Sequence, residues 1–181
     1  MVLPGHLAGG YLATKAILSL SHVAFSSVQM RVLYAIGIAA GEAPDIDLVW
    51  FFFEHRSSKQ NKKEHHRSYP THAPVLWLAA SLVIMVVGYF LGSVFTEYIG
   101  AVILGGSFSH FLLDSIEHGV MWLWPLSNRF FCLKKLKEPV IDKKPGGLPF
   151  YYELVTKHYI KDPTFYIEMA ITLVAIFIAL K

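Results

Sequence analysis

Long apolar runs alternate with short polar breaks along this chain, and their lengths set the first expectation. Four runs, at about 31–53, 74–92, 95–117 and 164–180, come close to the ~20 residues a helix needs to cross the hydrocarbon of a bilayer. The last of these, TFYIEMAITLVAIFIAL, is the cleanest. A fifth run, roughly 6–26, is amphipathic with Lys15 near its middle; it either crosses with Lys15 facing protein or lies in the interface. The pattern predicts an all-α, polytopic membrane bundle of four or five helices, with residues 1–181 forming one domain.

The second run contains Gly41 and Pro44. Proline removes a backbone donor and clashes with the preceding turn, so a break is expected beside Glu42, Asp45 and Asp47. Either a broken helix lines protein or water there, or a short helix ends near Gly41 and a new one starts with Pro44 in its first turn. Two polar stretches remain, 54–72 with five Lys or Arg and the longer 119–163, and the positive-inside bias places both in the cytoplasm. They are separated by two spanning runs, which independently puts them on one side. Traced this way, the chain gathers His6, the Glu42/Asp45/Asp47 group, His65, His66, His72, His110, Asp114, His118, His158 and Glu168 toward the cytoplasmic half.

Composition agrees: 54% of residues are hydrophobic, 16% are charged and the mean hydropathy is +0.46, outside the range of ordinary soluble domains. A single cysteine, Cys132, excludes an intramolecular disulfide and a Cys-rich zinc site, leaving His, Asp and Glu as candidate ligands. The N-terminus lacks a basic stretch ahead of its apolar run and is expected to stay in the mature fold. No internal repeat of the kind found in inverted-repeat transporters is visible. Trp122 and Trp124 are expected to anchor at the interface, and Gly105, Gly106 and Ser107 to let helices approach closely.

Ionisable groups inside apolar runs cost about 2.5–3.5 kcal/mol each on insertion scales, so they call for compensation. His110, Asp114 and His118 recur every four residues, which a helix aligns along one face as imidazole, carboxylate and imidazole. This face suits a divalent cation, although a His–Asp pair can also simply staple two helices. Asp45 and Asp47 would point about 200° apart on a regular helix and share an ion only if the backbone is irregular. Asp45 is read as a ligand, Asp47 as a ligand or as support for one. His66 and His72 flank a turn at Pro70, and Arg67 stands where an anionic substrate oxygen would be met. His118 extends the ligand face or ends the helix, His6 has the same standing, and Glu168 sits one turn inside the last apolar run.

The segments Gly41-Glu42-Ala43-Pro44-Asp45-Ile46-Asp47, His66-Arg67-Ser68-Tyr69-Pro70-Thr71-His72-Ala73, Ser109-His110-Phe111-Leu112-Leu113-Asp114 and Leu123-Trp124-Pro125-Leu126-Ser127 together resemble the LexA-binding, inner membrane-associated metal-dependent hydrolases, over about residues 4–128. That family is similar to the zinc-dependent phospholipase C and single-strand nuclease fold. The resemblance implies Asp45, His72, His110 and Asp114 as core ligands, with His6 and His66 as additions. The usual His-Arg-Gly-x-Thr-His form is altered, Ser68 replacing Gly and Pro70 preceding Thr71, and the C-terminal His-x-x-x-Glu pair of the soluble enzymes has no counterpart.

The expected function is a membrane hydrolase in the inner or plasma membrane with its active-site face cytoplasmic. One or two divalent ions, zinc by preference, would act with Asp45 or Asp47 as proton acceptor on an anionic phosphoester, a lipid phosphate above all. No nucleic acid binding is expected; a regulatory protein partner for the cytoplasmic loops is. The rival readings are a non-catalytic protein with a structural metal or partner-binding role, and an ion or metal transporter.

Overall fold

A computed structural model describes residues 3–47, 69–117, 119–134, 152 and 154–181. The described residues form five α-helices: α1 (Leu3–Leu20), α2 (Ser27–Glu42), α3 (Pro74–Phe90), α4 (Val94–Glu117) and α5 (Pro163–Ala179). Short 3₁₀ turns at Ala43–Ile46 and Pro70–His72 sit beside the ends of α2 and α3. Outside the helices, an isolated antiparallel bridge joins Val120 to Phe131.

Local chemistry fixes the boundaries. Ser26 and Gln29 form a reciprocal capping box at the start of α2, with Gln29 N–H donating to Ser26 Oγ at 3.2 Å and Ser26 N–H to Gln29 Oε1 at 2.9 Å. The run placed at about 31–53 is corrected at its start, since α2 begins at Ser27; its end at Glu42, with Pro44 in the first turn of the 3₁₀ segment, is the expected break, and 48–53 lie outside the described residues. Pro74 opens α3, and the Trp77 indole donates to Thr71 O at 2.8 Å, tying the Pro70–His72 turn to that helix. Gly92 takes φ +63° in the tight α3–α4 connection, and Gly119, at φ +91°, closes α4 with its N–H on Asp114 O at 2.9 Å.

Close contacts reveal the register. A Cβ on Gly41 would lie 2.5 Å from His6 O and one on Gly10 2.5 Å from Gly37 O, so α1 and α2 run antiparallel with backbones touching. A Cβ on Gly106 would collide with Gly37 O and come 2.9 Å from Ala40 Cβ, which packs α4 parallel to α2. This is small-residue packing of the kind that lets membrane helices meet without a hydrophobic drive. Gly100 against Ser81 and Met85 sets α4 antiparallel to α3. The starts of α1, α3 and α5 and the ends of α2 and α4 thus come together at one end of the bundle. An apolar cluster of Leu18, Leu33 and Val102, with Phe25 and Tyr98 against it, fills the other end.

Val94–Ile116 is, among the described residues, the one unbroken helix both long and apolar enough to cross a membrane; α3 is apolar but spans 17 residues. The outward faces of α3 and α5 carry exposed apolar side chains, with Val83, Val86, Leu173 and Phe177 exposed by 63%, 51%, 59% and 60%. Trp122, half-buried, packs on Phe108 and Phe111 and donates to Ser115 Oγ at 2.7 Å. Lys15 is exposed, not turned toward protein.

Two outcomes follow. Gly106→Val drives a branched side chain into the α2 backbone and lowers stability by about 1–3 kcal/mol, read as a fall in unfolding temperature in detergent, whereas Leu82→Ala on the outer face of α3 changes it little. At α5, burial raises the Asp162 carboxyl, but the Thr164 N–H and hydroxyl and the Lys134 ammonium, 3.0 Å away, outweigh it and hold the group below its ordinary range. Asp162 therefore stabilises the helix start above the unfolded carboxylate value of ~3.9, and the contribution is lost as pH falls through the lower folded value. An acid titration of helicity loses this step in Asp162→Asn.

Candidate metal centre

The gathered helix ends bring four ligand-type side chains to one place. Asp45 comes from the 3₁₀ turn after α2, His72 from the turn before α3, and His110 and Asp114 from successive turns of α4. One donor atom from each lies within 4.8 Å of all the others. His72, His110 and Asp114 are fully buried, and the Asp45 side chain is 10% exposed.

Hydrogen bonding decides which nitrogen each ring presents. His110 Nδ1 is 2.8 Å from the Gly41 carbonyl oxygen, which can only accept, so Nδ1 carries the proton and Nε2 the lone pair. His72 Nδ1 is 2.9 Å from Asp47 Oδ2 and takes the same tautomer, with the Thr71 hydroxyl donating to that oxygen at 3.0 Å. Both Nε2 atoms then face the same space, 3.3 Å apart. His72 Nε2 is also 3.3 Å from Asp114 Oδ2 and 3.7 Å from Asp45 Oδ1; His110 Nε2 lies 3.7 Å from Asp114 Oδ2 and 3.9 Å from Asp45 Oδ1.

Four electron-pair donors cannot face one another at such spacings without a proton or cation among them. A tetrahedral ion with bonds of ~2.0–2.1 Å places its ligands ~3.3 Å apart, near the shorter of these distances. Asp45 Oδ1, buried with no hydrogen-bond partner, is the orphan such an ion would satisfy. The residues therefore fit a divalent metal, and this buried Asp/His/His/Asp group could hold one.

His6 extends the cluster. Its ring stacks on His110 at 4.0 Å between centroids, and its Nε2 lies 3.5 Å from Asp114 Oδ1, the oxygen paired with the one facing His72. Both of its ring nitrogens are buried without a hydrogen-bond partner, as is Glu42 Oε2. Glu168, left open between function and the surface, is buried and accepts the Gly5 N–H at 2.9 Å, one of the amides unpaired at the start of α1.

Asp47 stands apart from the four: it orients His72 and does not join the donor set, because the turn at Pro44 sends the two aspartates to opposite sides of the His72 ring. His65, His66, Arg67 and His118 lie outside the described residues, and so does the side chain of His158. Two contributors escaped the sequence reading: the Gly41 carbonyl, which as backbone leaves no side-chain signal, and the Thr71 hydroxyl, whose place beside His72 was the available clue.

The chain matches over residues 1–180 the profile of a family described as YdjM inner membrane protein. No curated protein and no solved structure matches it. These comparisons lend nothing to the LexA-binding, phospholipase C or nuclease likenesses of the individual motifs, and they do place the chain with proteins of the inner membrane. With a match that runs nearly end to end, the chain belongs to the YdjM inner membrane protein family.

Proposed function

We propose that this protein is a metal-dependent hydrolase embedded in the inner membrane, cleaving the phosphate ester of an anionic lipid at the cytoplasmic face. The observation that carries the reading is the convergence of two imidazole Nε2 atoms and two carboxylates, each ring held in the ligand tautomer, in one buried space. The bundle is taken to cross the membrane with four or five helices, their gathered ends at the cytoplasmic leaflet. Zinc suits the mixed nitrogen and oxygen donors, and a bound ion would supply Lewis acidity toward a phosphoryl oxygen and lower the pKa of water toward ~7.

The remaining roles belong to the chain. Asp45, the most exposed of the four, is the proton acceptor through the carboxylate oxygen that does not face the ion. Asp47, engaged by His72 and Thr71, is a positioning residue. His6 adds a donor beside Asp114 for a second ion, and Arg67 would meet the anionic substrate. The basic stretches favour a phosphate-bearing lipid and offer a surface to a regulatory partner, while no feature points to nucleic acid.

A second reading rests on the donor count. Four protein ligands fill a tetrahedral shell, the arrangement of structural zinc sites, whereas catalytic sites keep a position open. Against it stand His6 and Glu42 Oε2, buried polar groups that a closed structural site would leave without purpose.

Metal analysis and a panel of phospholipids and lipid phosphates separate the readings. Wild-type protein retains a divalent ion and hydrolyses a member of the panel, and Asp114→Ala loses both. Turnover at the wild-type rate in Asp114→Ala contradicts the hydrolase, and a metal-loaded, folded protein inert on the whole panel selects the structural site. Asp47→Asn keeps the four donors but loosens His72, and metal affinity measured by chelator competition falls about 10–100-fold.

A further inference from the structure

Beyond α4 the chain turns back on itself. Val120 and Phe131 exchange both backbone hydrogen bonds at 3.0 Å and close a hairpin whose base is buried at Val120 and Met121. Its returning arm is held on α4: Leu133 N–H donates to Ser115 O at 2.8 Å and Lys134 N–H to Ile116 O at 2.9 Å, taking up carbonyls that a helix end leaves unpaired. Inside the loop, Trp124 N–H donates to Met121 O and Ser127 N–H to Leu123 O. The hairpin is therefore a built part of the fold, yet its far end is apolar and open. Leu123, Leu126 and Leu133 are exposed by 66%, 92% and 72%, with Phe130 and Phe131 exposed between them. Residues 119–137 contain no acid and four bases, Arg129, Lys134, Lys135 and Lys137. Lys134 is engaged by Asp162, whereas Arg129 is exposed and makes no ion pair among the described residues.

The position of the hairpin along α4 sets its depth. Val94–Ile116 is the span candidate. Its 23 residues rise about 34 Å at ~1.5 Å per residue, slightly more than a ~30 Å hydrocarbon core, so Ile116 stands near the headgroup boundary. The chain does not continue outward from there. The Trp122 ring lies 5.9 Å from that of Phe108 and 6.3 Å from that of Phe111, and its Nε1 is 2.7 Å from Ser115 Oγ. On α4 those two phenylalanines sit about 12 and 8 Å before Ile116, so the start of the hairpin folds back beside the span. Leu112, exposed by 61%, carries the apolar surface along the helix at the same level.

We infer that residues 120–133 form an interfacial hairpin inserted into the leaflet at the metal end of the bundle, with Leu123, Leu126 and Phe130 among the upper acyl carbons and Arg129 at the lipid phosphates. The partner is the bilayer surface itself, continuous with the lipid around α4 in a member of an inner membrane family. Non-helical backbone is excluded from the hydrocarbon centre but accepted at the boundary, where an apolar face buries about 5–10 Å deep and an arginine reaches outward to headgroups. Because the hairpin hangs from Asp114, whose carbonyl accepts the Gly119 N–H at 2.9 Å, its insertion holds the donor cluster near headgroup level. This holds for a catalytic or a structural metal alike, and does not depend on hydrolysis.

The test is fluorescence depth measurement on the full chain in phosphatidylethanolamine and phosphatidylglycerol vesicles. With Cys132→Ser removing the native thiol, Leu126→Cys or Phe130→Cys is labelled with an environment-sensitive dye; Leu126 is so exposed that its replacement leaves the fold intact, and Val83→Cys serves as the lipid-facing reference on α3. Labels at 126 and 130 are expected to emit to the blue of the free dye and to resist aqueous iodide several-fold better than it. Lipids carrying a nitroxide near the headgroup should quench them more than lipids with the nitroxide near the chain end, the reverse of the order expected deeper in the leaflet. Iodide quenching equal to that of the free dye overturns the inference and leaves the hairpin as a surface for a soluble partner. Protection from iodide without quenching by either nitroxide lipid also overturns it, and assigns the surface to a second copy of this chain. Neither readout requires turnover, so an inert protein that passes both sinks the hydrolase alone.

Discussion

Two hydrogen bonds govern this molecule: His110 Nδ1 to the Gly41 carbonyl and His72 Nδ1 to the Asp47 carboxylate. Each consumes the only proton of a neutral imidazole and turns the lone pair of the opposite nitrogen toward the other ring and toward Asp45 and Asp114. A ring free to rotate could donate to a neighbouring carboxylate and make the pocket a satisfied polar network. Held as they are, the rings leave acceptors facing acceptors, an arrangement that a cation relieves.

The packing exists to make those two bonds possible. Gly41 can offer its carbonyl to α4 because Gly10, Gly37, Gly41 and Gly106 let three backbones touch, and the same contacts carry His6 over the face of His110. Pro44 ends α2 one turn later, which frees the backbone to send Asp45 to the Nε2 side of His72 and Asp47 to its Nδ1 side. At the far end an ordinary apolar cluster is enough. The structure is thus close-packed backbone to backbone where the chemistry lies and side chain to side chain where it does not.

Much of this was legible in the sequence because helix periodicity is simple. His110 and Asp114, four apart in an apolar run, had to share a face, and Pro44 had to disturb the backbone beside three acids. The helical class and the clustering of ionisable groups at one end followed from run lengths and alternation. What periodicity cannot carry is which backbone atom meets which ring. The Gly41 carbonyl has no side-chain signature, the division of labour between Asp45 and Asp47 depends on the course of a 3₁₀ turn, and the Glu168 bond to Gly5 joins residues 163 positions apart. The start of α2 was misplaced for another reason: the Ser26–Gln29 capping box was present in the sequence and outweighed by hydropathy.

The most direct test of the central claim is zinc-edge X-ray absorption on zinc-loaded protein in detergent or nanodiscs. A shell of nitrogen and oxygen at ~2.0–2.1 Å, with the outer scattering of two imidazoles that drops to one in His72→Ala, is the predicted result. A shell of oxygen alone without imidazole scattering, or an unchanged spectrum in His72→Ala, would contradict it.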